Sequence, residues 1–132
     1  MDAAPPEARG RRGRISRSHD FDAVYRRGKS AANRHLVVYA FRRDEPADAT
    51  IPRLGLSVSR KVGGSVERNR IKRVLREQFA QIEHRLPAGV DVVVIARPGV
   101  AEYEAERGSA ALGERLDELM TRLVEPSEQV PA

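Results

Sequence analysis

The seven residues Val90-Asp91-Val92-Val93-Val94-Ile95-Ala96 restrict the fold more than any other segment. An apolar run of strand length with so little alternation cannot leave one side in water. It must lie at the centre of a sheet with material packed on both faces. The rest of the chain therefore has to supply both neighbouring strands and two covering layers.

The neighbours are legible. Arg53 to Ser59 alternates, with Leu54, Leu56 and Val58 toward a core and Gly55, Ser57 and Ser59 away from it. His35 to Phe41 is rich in β-forming residues, Leu36 and Val38 pointing one way and Val37 and Tyr39 the other. Three helices can cover such a sheet. Ser18 is placed to cap a short one running to about Arg27, with Phe21, Val24 and Tyr25 on its apolar side and Gly28 stopping it. From about Val66 to Arg85, Ile71, Val74, Leu75, Phe79, Ile82 and Leu86 form one stripe, and Ser65 is placed as the N-cap. Ser109 to Val124 is amphipathic through Leu112, Leu116, Leu119, Met120 and Leu123.

The order is α-β-β-α-β-α, with room for another strand in the 43–53 region. The class is α+β, a single-domain α/β sandwich, and 132 residues suffice for one well-buried core but not two. Residues 1–8 and 126–132 lack periodicity and are expected to be disordered, leaving 9–125 as the domain with a basic N-terminal arm.

Charge is segregated along this framework. The net charge is +5, yet residues 9–43 carry a balance of +9 and residues 53–76 one of +7, while 77–132 carry −6. Clustered cations point to a polyanionic partner, because they displace counterions from phosphates. The basic residues are Arg except for Lys29, Lys61 and Lys72, which suits bidentate phosphate contact and base stacking and equally fits a GC-rich coding bias. There is no cysteine, so disulfides and thiolate metal sites are excluded, in keeping with a reducing cytoplasm. No apolar run exceeds the six residues Leu36 to Phe41, too short for a membrane span or a secretory signal.

The dominant motif runs from Ser59 to Arg73. A strand ends in Arg60-Lys61, the glycines 63 and 64 make a turn, and a helix opens with Glu67-Arg68-Asn69-Arg70-Ile71-Lys72-Arg73. Glycines expose backbone N–H groups, and a helix N-terminus favours phosphate. On a helical wheel Asn69, Arg70, Arg73 and Arg76 lie opposite the apolar stripe, with Lys72 at its flank. A merely solvated face is the usual fate of a charge run, but such faces mix signs, and Glu67 is the lone acid from 53 to 76. A second motif pairs Phe21, Tyr25 and Tyr39 with nearby Arg26, Arg27 and Lys29, as a groove for single-stranded RNA would. Ordinary packing of these aromatics into a core fits their spacing equally well.

Candidates for protein-based catalysis are few. His19, His35 and His84 are scattered, and the carboxylates from Glu102 to Glu118 read as a solvated surface. No nucleotide phosphate loop, nucleophile elbow or zinc spacing occurs, so neither a catalytic residue nor a metal ligand is assigned.

With these residues in view, the chain resembles the ribonuclease P protein family over about Arg11 to Leu123. The likeness is carried by Glu67 to Arg73 with its Arg-Asn-Arg core, Leu54 to Lys61, Asp20 to Tyr25, Ala32-Asn33-Arg34 and Val92 to Arg97. The resemblance implies a left-handed crossover through the 66–85 helix, contrary to the usual hand. It implies a subunit that joins a large catalytic RNA and helps it remove the 5′ leader of precursor tRNA. The RNA performs the hydrolysis, with Mg²⁺ as cofactor bound mainly by that RNA.

Carried onto this chain, Arg68, Asn69, Arg70, Lys72, Arg73 and Arg76 face the catalytic RNA, as do Arg11, Arg12 and Arg14 of the arm. Phe21, Tyr25, Val37, Tyr39 and Ser57 form the leader cleft, with Arg60 and Lys61 near the join of the two surfaces. Tyr25 stands where Phe is usual, Arg60 where Lys is common, and Gly64 where many members carry Asn, which puts any polar contact there in doubt. The partners implied are RNA, not DNA or membrane. The competing readings are a structural RNA-binding module of ribosomal type and a stand-alone nuclease.

Overall fold

The computed structural model describes residues 14–15, 18–42, 52–87 and 89–123. Helix α1 (Ser18–Arg27) leads into β1 (Lys29–Ala32), β2 (Leu36–Arg42) and β3 (Arg53–Val58). Helix α2 (Ser65–Ile82) ends in a 3-10 turn (Glu83–Arg85), and β4 (Val90–Ala96), α3 (Val100–Arg107) and α4 (Ser109–Leu123) follow. The sheet order is β1-β2-β4-β3. Strand β4 pairs antiparallel with β2 and parallel with β3, which is joined to it through α2.

The 90–96 run occupies the interior position its composition demands. Val90, Val92, Val94 and Ala96 enter the main core with Leu36, Val38 and Leu54, beneath Ile71, Val74, Leu75 and Phe79 of α2 and Leu112, Leu116, Leu119 and Met120 of α4. Val93 turns to the other face and meets Val24 of α1 and Ile15. Asp91 interrupts the run and is buried, its carboxylate held by the Arg53 guanidinium in two bonds of 2.8 and 2.7 Å. That pairing makes burial of the charge tolerable.

Several expectations need correction. Strand β1, at 29–32, has no counterpart among the expected elements; it is the sequence Lys-Ser-Ala-Ala at the sheet edge. The 43–51 segment lies outside the described residues, as do 1–8 and the chain beyond 123. The N-cap of α2 is Gly64, without a side-chain capping bond, and Ser65 is already helical. Helix α3 has no counterpart among the expected elements; it is short and bounded by Gly99 and Gly108, both with positive φ.

Candidate RNA interface

The face of the sheet under α1 holds the cleft. Strand pairing places Tyr39, Val93 and Gly55 side by side in one cross-strand row, and Val37, Ile95 and Ser57 in the next. Directly paired residues share a face, so the expected cleft residues Val37, Tyr39 and Ser57 do come together. Helix α1 covers the first row. The Phe21 ring sits over Gly55 so closely that a Cβ there would lie 2.8 Å from it, which explains the glycine in an otherwise alternating strand. The second row is left half-open, with Val37, Ile95 and Ser57 all partly exposed.

An aromatic series borders the opening. Phe21 and Tyr25 lie one helical turn apart with ring centroids at 6.2 Å, and Tyr25 meets Tyr39 edge-on at 5.1 Å. Tyr25 is 39% exposed. Burial, then the neighbouring Tyr39 and Asp22, push its phenol above the usual tyrosine range, so it remains a neutral donor. Further along, the Arg27 guanidinium lies 5.4 Å from the centre of the Phe41 ring. The packing question left open by spacing resolves between its extremes: Phe21 and Tyr39 are half-buried against Ile15, Val24 and Val93, and Tyr25 is exposed.

The cationic surface is built on α2. Asn69, Arg70 and Arg73 are exposed, and Arg68, Lys72 and Arg76 are partly buried. Among the described residues no carboxylate lies within 4.0 Å of Arg60, Lys61, Arg68, Lys72, Arg73 or Arg76. The Arg68 Nε is buried without a partner. Burial, then the charge of Arg14, lower the Arg76 pKa. Arg14 is brought to this helix because the arm pairs with edge strand β3: Arg14 bridges Leu54, and the Ile15 N–H donates to the Leu54 carbonyl at 2.9 Å. Arg11 and Arg12 lie outside the described residues. Arg60 and Lys61, both exposed, occupy the turn from β3 to α2 and so stand between the cleft face and the helix.

Arg70 departs from this pattern. Its Nε lies 2.9 Å from Oε1 of Glu104, and its Nη2 donates to Oε2 at 3.4 Å. Glu104 on α3 is buried, 3% exposed, and also accepts a bond from the Ser109 hydroxyl at 3.0 Å. Reading every carboxylate from 102 to 118 as solvated therefore fails at Glu104. The Arg70 side chain stays 54% exposed, so one edge of its guanidinium is anchored and the rest faces outward.

Sequence reasoning also missed Ile95, the centre of the open row. Its signal was the odd-numbered parity of β4, invisible because both parities are apolar. Among the described residues no group of three or more His, Asp or Glu side chains is arranged to hold a metal ion. No described helix is long and apolar enough to cross a membrane.

A half-open aromatic cleft, beside a helix whose Arg68, Arg73 and Arg76 have no carboxylate within 4.0 Å among the described residues, marks an RNA-binding class of protein. A family model described as Ribonuclease P matches residues 10–123. The Brevibacillus brevis ribonuclease P protein component is 46% identical over 93 residues, covering 70% of this chain and 71% of that protein. A Bacillus cereus counterpart is 41% identical over 99 residues, covering 75% and 84%. Among solved structures, the Thermotoga maritima RNase P protein superposes with a TM-score of 0.70 at 34% identity, covering 83% of this chain and 96% of that one. A Staphylococcus aureus RNase P protein mutant gives 0.74 at 31%, covering 87% and 91%. The chain belongs to the ribonuclease P protein family, whose members are protein components of that endoribonuclease.

Proposed function

We propose that this protein works as the accessory subunit of ribonuclease P, binding the catalytic RNA through α2 and its arm and the 5′ leader of precursor tRNA through the cleft. Bond cleavage is assigned to the RNA and its Mg²⁺, with no protein side chain in a chemical role. The observation that carries this reading is the division of labour across the sheet. One face offers half-exposed Phe21, Tyr25 and Tyr39 beside the open Val37–Ile95–Ser57 row. The loop and helix beside it offer Arg60, Lys61, Lys72, Arg73 and Arg76, none with a carboxylate within 4.0 Å among the described residues.

Stacking suits a leader whose sequence differs between precursors, because every base has a face; each such contact is worth ~1–3 kcal/mol. The cations lower repulsion between leader phosphates and those of the catalytic RNA, which otherwise requires high Mg²⁺. Family membership weighs against a ribosomal-type structural module.

The test is cleavage of precursor tRNA by the cognate RNA, with and without the protein, across a Mg²⁺ titration. The protein is expected to restore cleavage at low Mg²⁺, and RNA-free protein is expected to leave the substrate intact. Absence of any gain at low Mg²⁺ would overturn the reading. Phe21→Ala and Tyr39→Ala should weaken precursor binding more than mature tRNA binding; equal losses would assign both rings to packing alone.

A further inference from the structure

We propose that Glu104 is a positioning residue for the RNA-binding helix, holding the Arg70 guanidinium so that its free edge meets one phosphate of the catalytic RNA. This rests on the reading of α2 as the surface for that RNA.

The pair is asymmetric in a way that packing does not require. Glu104 is 3% exposed, whereas the Arg70 side chain is 54% exposed. Burying a carboxylate is costly, and an apolar residue of similar volume often serves stability as well or better. What the buried carboxylate adds is direction. Arg70 Nε lies 2.9 Å from Oε1 and Nη2 donates to Oε2 at 3.4 Å, so the guanidinium is gripped along its side. A guanidinium carries five N–H donors in a fixed plane. With two engaged, the three at its tip remain, in the fork that fits two oxygens of a phosphate.

The grip is itself firmly held. Val100 and Glu104 are the buried residues of α3, one turn apart on the same side of the helix. Docking of α3 therefore aims the carboxylate inward. Where the helix ends, the Gly108 N–H donates to the Glu104 carbonyl at 2.8 Å, and the Ser109 hydroxyl donates to Oε2 at 3.0 Å. The small side chains of Ala101 and Ala105, with Ile71, line the groove between α2 and α3 where the pair sits. One turn along α2, Arg73 is exposed with no carboxylate within 4.0 Å among the described residues, so RNA itself must order it. Arg70 is ordered beforehand, which removes that entropic cost from binding.

Charge separates this role from simple attraction. Glu104→Gln keeps the size of the side chain and one acceptor oxygen, loses the second grip on Arg70, and raises the net charge of +5 by one. Attraction alone predicts tighter binding of every RNA. Positioning predicts that the full-length variant binds its cognate catalytic RNA about three- to tenfold more weakly. An unrelated RNA hairpin should bind at least as tightly as to wild type. Ser109→Ala, which leaves the charge alone, should weaken catalytic-RNA binding by about twofold. Arg70→Lys keeps the charge without the fork and should lose at least as much as Glu104→Gln. In an Arg70→Ala background, Glu104→Gln should cost no further affinity.

Catalytic-RNA binding that is unchanged or tighter in Glu104→Gln would overturn the role. Equal weakening toward the unrelated hairpin, or a further loss in the Arg70→Ala background, would overturn it too, by making Glu104 a support of the fold. If Arg70→Ala itself binds the catalytic RNA as wild type does, the placement of that RNA on this part of α2 fails and takes the role with it. Failure of the role alone shows as a loss with Arg70→Ala that Glu104→Gln does not reproduce.

Discussion

The two faces of the sheet are built to different standards. Among the described residues, the face under α2 and α4 encloses 17 buried apolar residues, whereas Ile15, Val24 and Val93 form the buried apolar cluster under α1. Phe21, Tyr39, Phe41 and Ile95 merely lean against that small cluster. Stability is concentrated on one side, so the other can leave large rings partly uncovered without endangering the fold. An exposed aromatic surface is costly to keep in water unless something covers it, and a nucleobase is the cover that the surrounding cations favour.

The sharpest way to break this contrast is to compare truncations on the two sides. Leu75→Ala, in the fully buried core, should destabilise the protein by about 2–5 kcal/mol in urea unfolding. Tyr25→Ala removes a larger but exposed ring and should lower stability by less than about 1 kcal/mol. Comparable losses would mean that the α1 face is core as well.

Gly55→Ala probes the seam between packing and recognition. The added methyl would lie 2.8 Å from the Phe21 ring and 3.1 Å from the Ile15 Cβ, so α1 or the arm must shift. A cost of about 1–3 kcal/mol is expected. Precursor affinity should fall while mature tRNA affinity holds; an unchanged precursor affinity would detach Phe21 from the leader.

The cationic helix carries a smaller contrast of the same kind. Arg70→Ala strips a buried carboxylate of its ion-pair partner and should destabilise by about 1–3 kcal/mol. Arg73→Ala, exposed and unpaired among the described residues, should stay within about 0.5 kcal/mol of wild type. Both should lower the salt slope of catalytic-RNA binding, by about 0.7–0.9 for each phosphate left unneutralised. A full slope after Arg70→Ala would make that arginine a purely internal brace.

How much of this the sequence carries depends on how each element signals itself. Strand β4 is readable to the residue, because a two-sided apolar run has only one solution. The α2 stripe is readable because it is long and periodic. Strand β1 is not, since Lys-Ser-Ala-Ala is held by pairing with β2 rather than by any side-chain pattern. Helix α3 is hidden for a related reason: only Val100 and Glu104 of its eight residues are buried, and a buried Glu reads as surface until Arg70 is placed beside it. In the cleft the aromatic residues announce themselves by type. The place of Ile95 at its centre depends on register, which a single sequence does not specify.

Register also sets the finest test, at His35. Its ring stacks on Tyr103 at 4.1 Å, its Nδ1 is buried without a partner, and burial, then Arg34 of its own turn and Arg115 of α4, hold its pKa below the usual histidine range. Protonation is therefore less favourable in the folded protein than in the unfolded chain. The stabilising contribution is complete above about pH 6.5 and erodes as the pH falls below it, when the unfolded chain takes up the proton first. His35→Gln should flatten that slope in urea unfolding between pH 7.5 and pH 5, by a small amount because the ring is half-exposed.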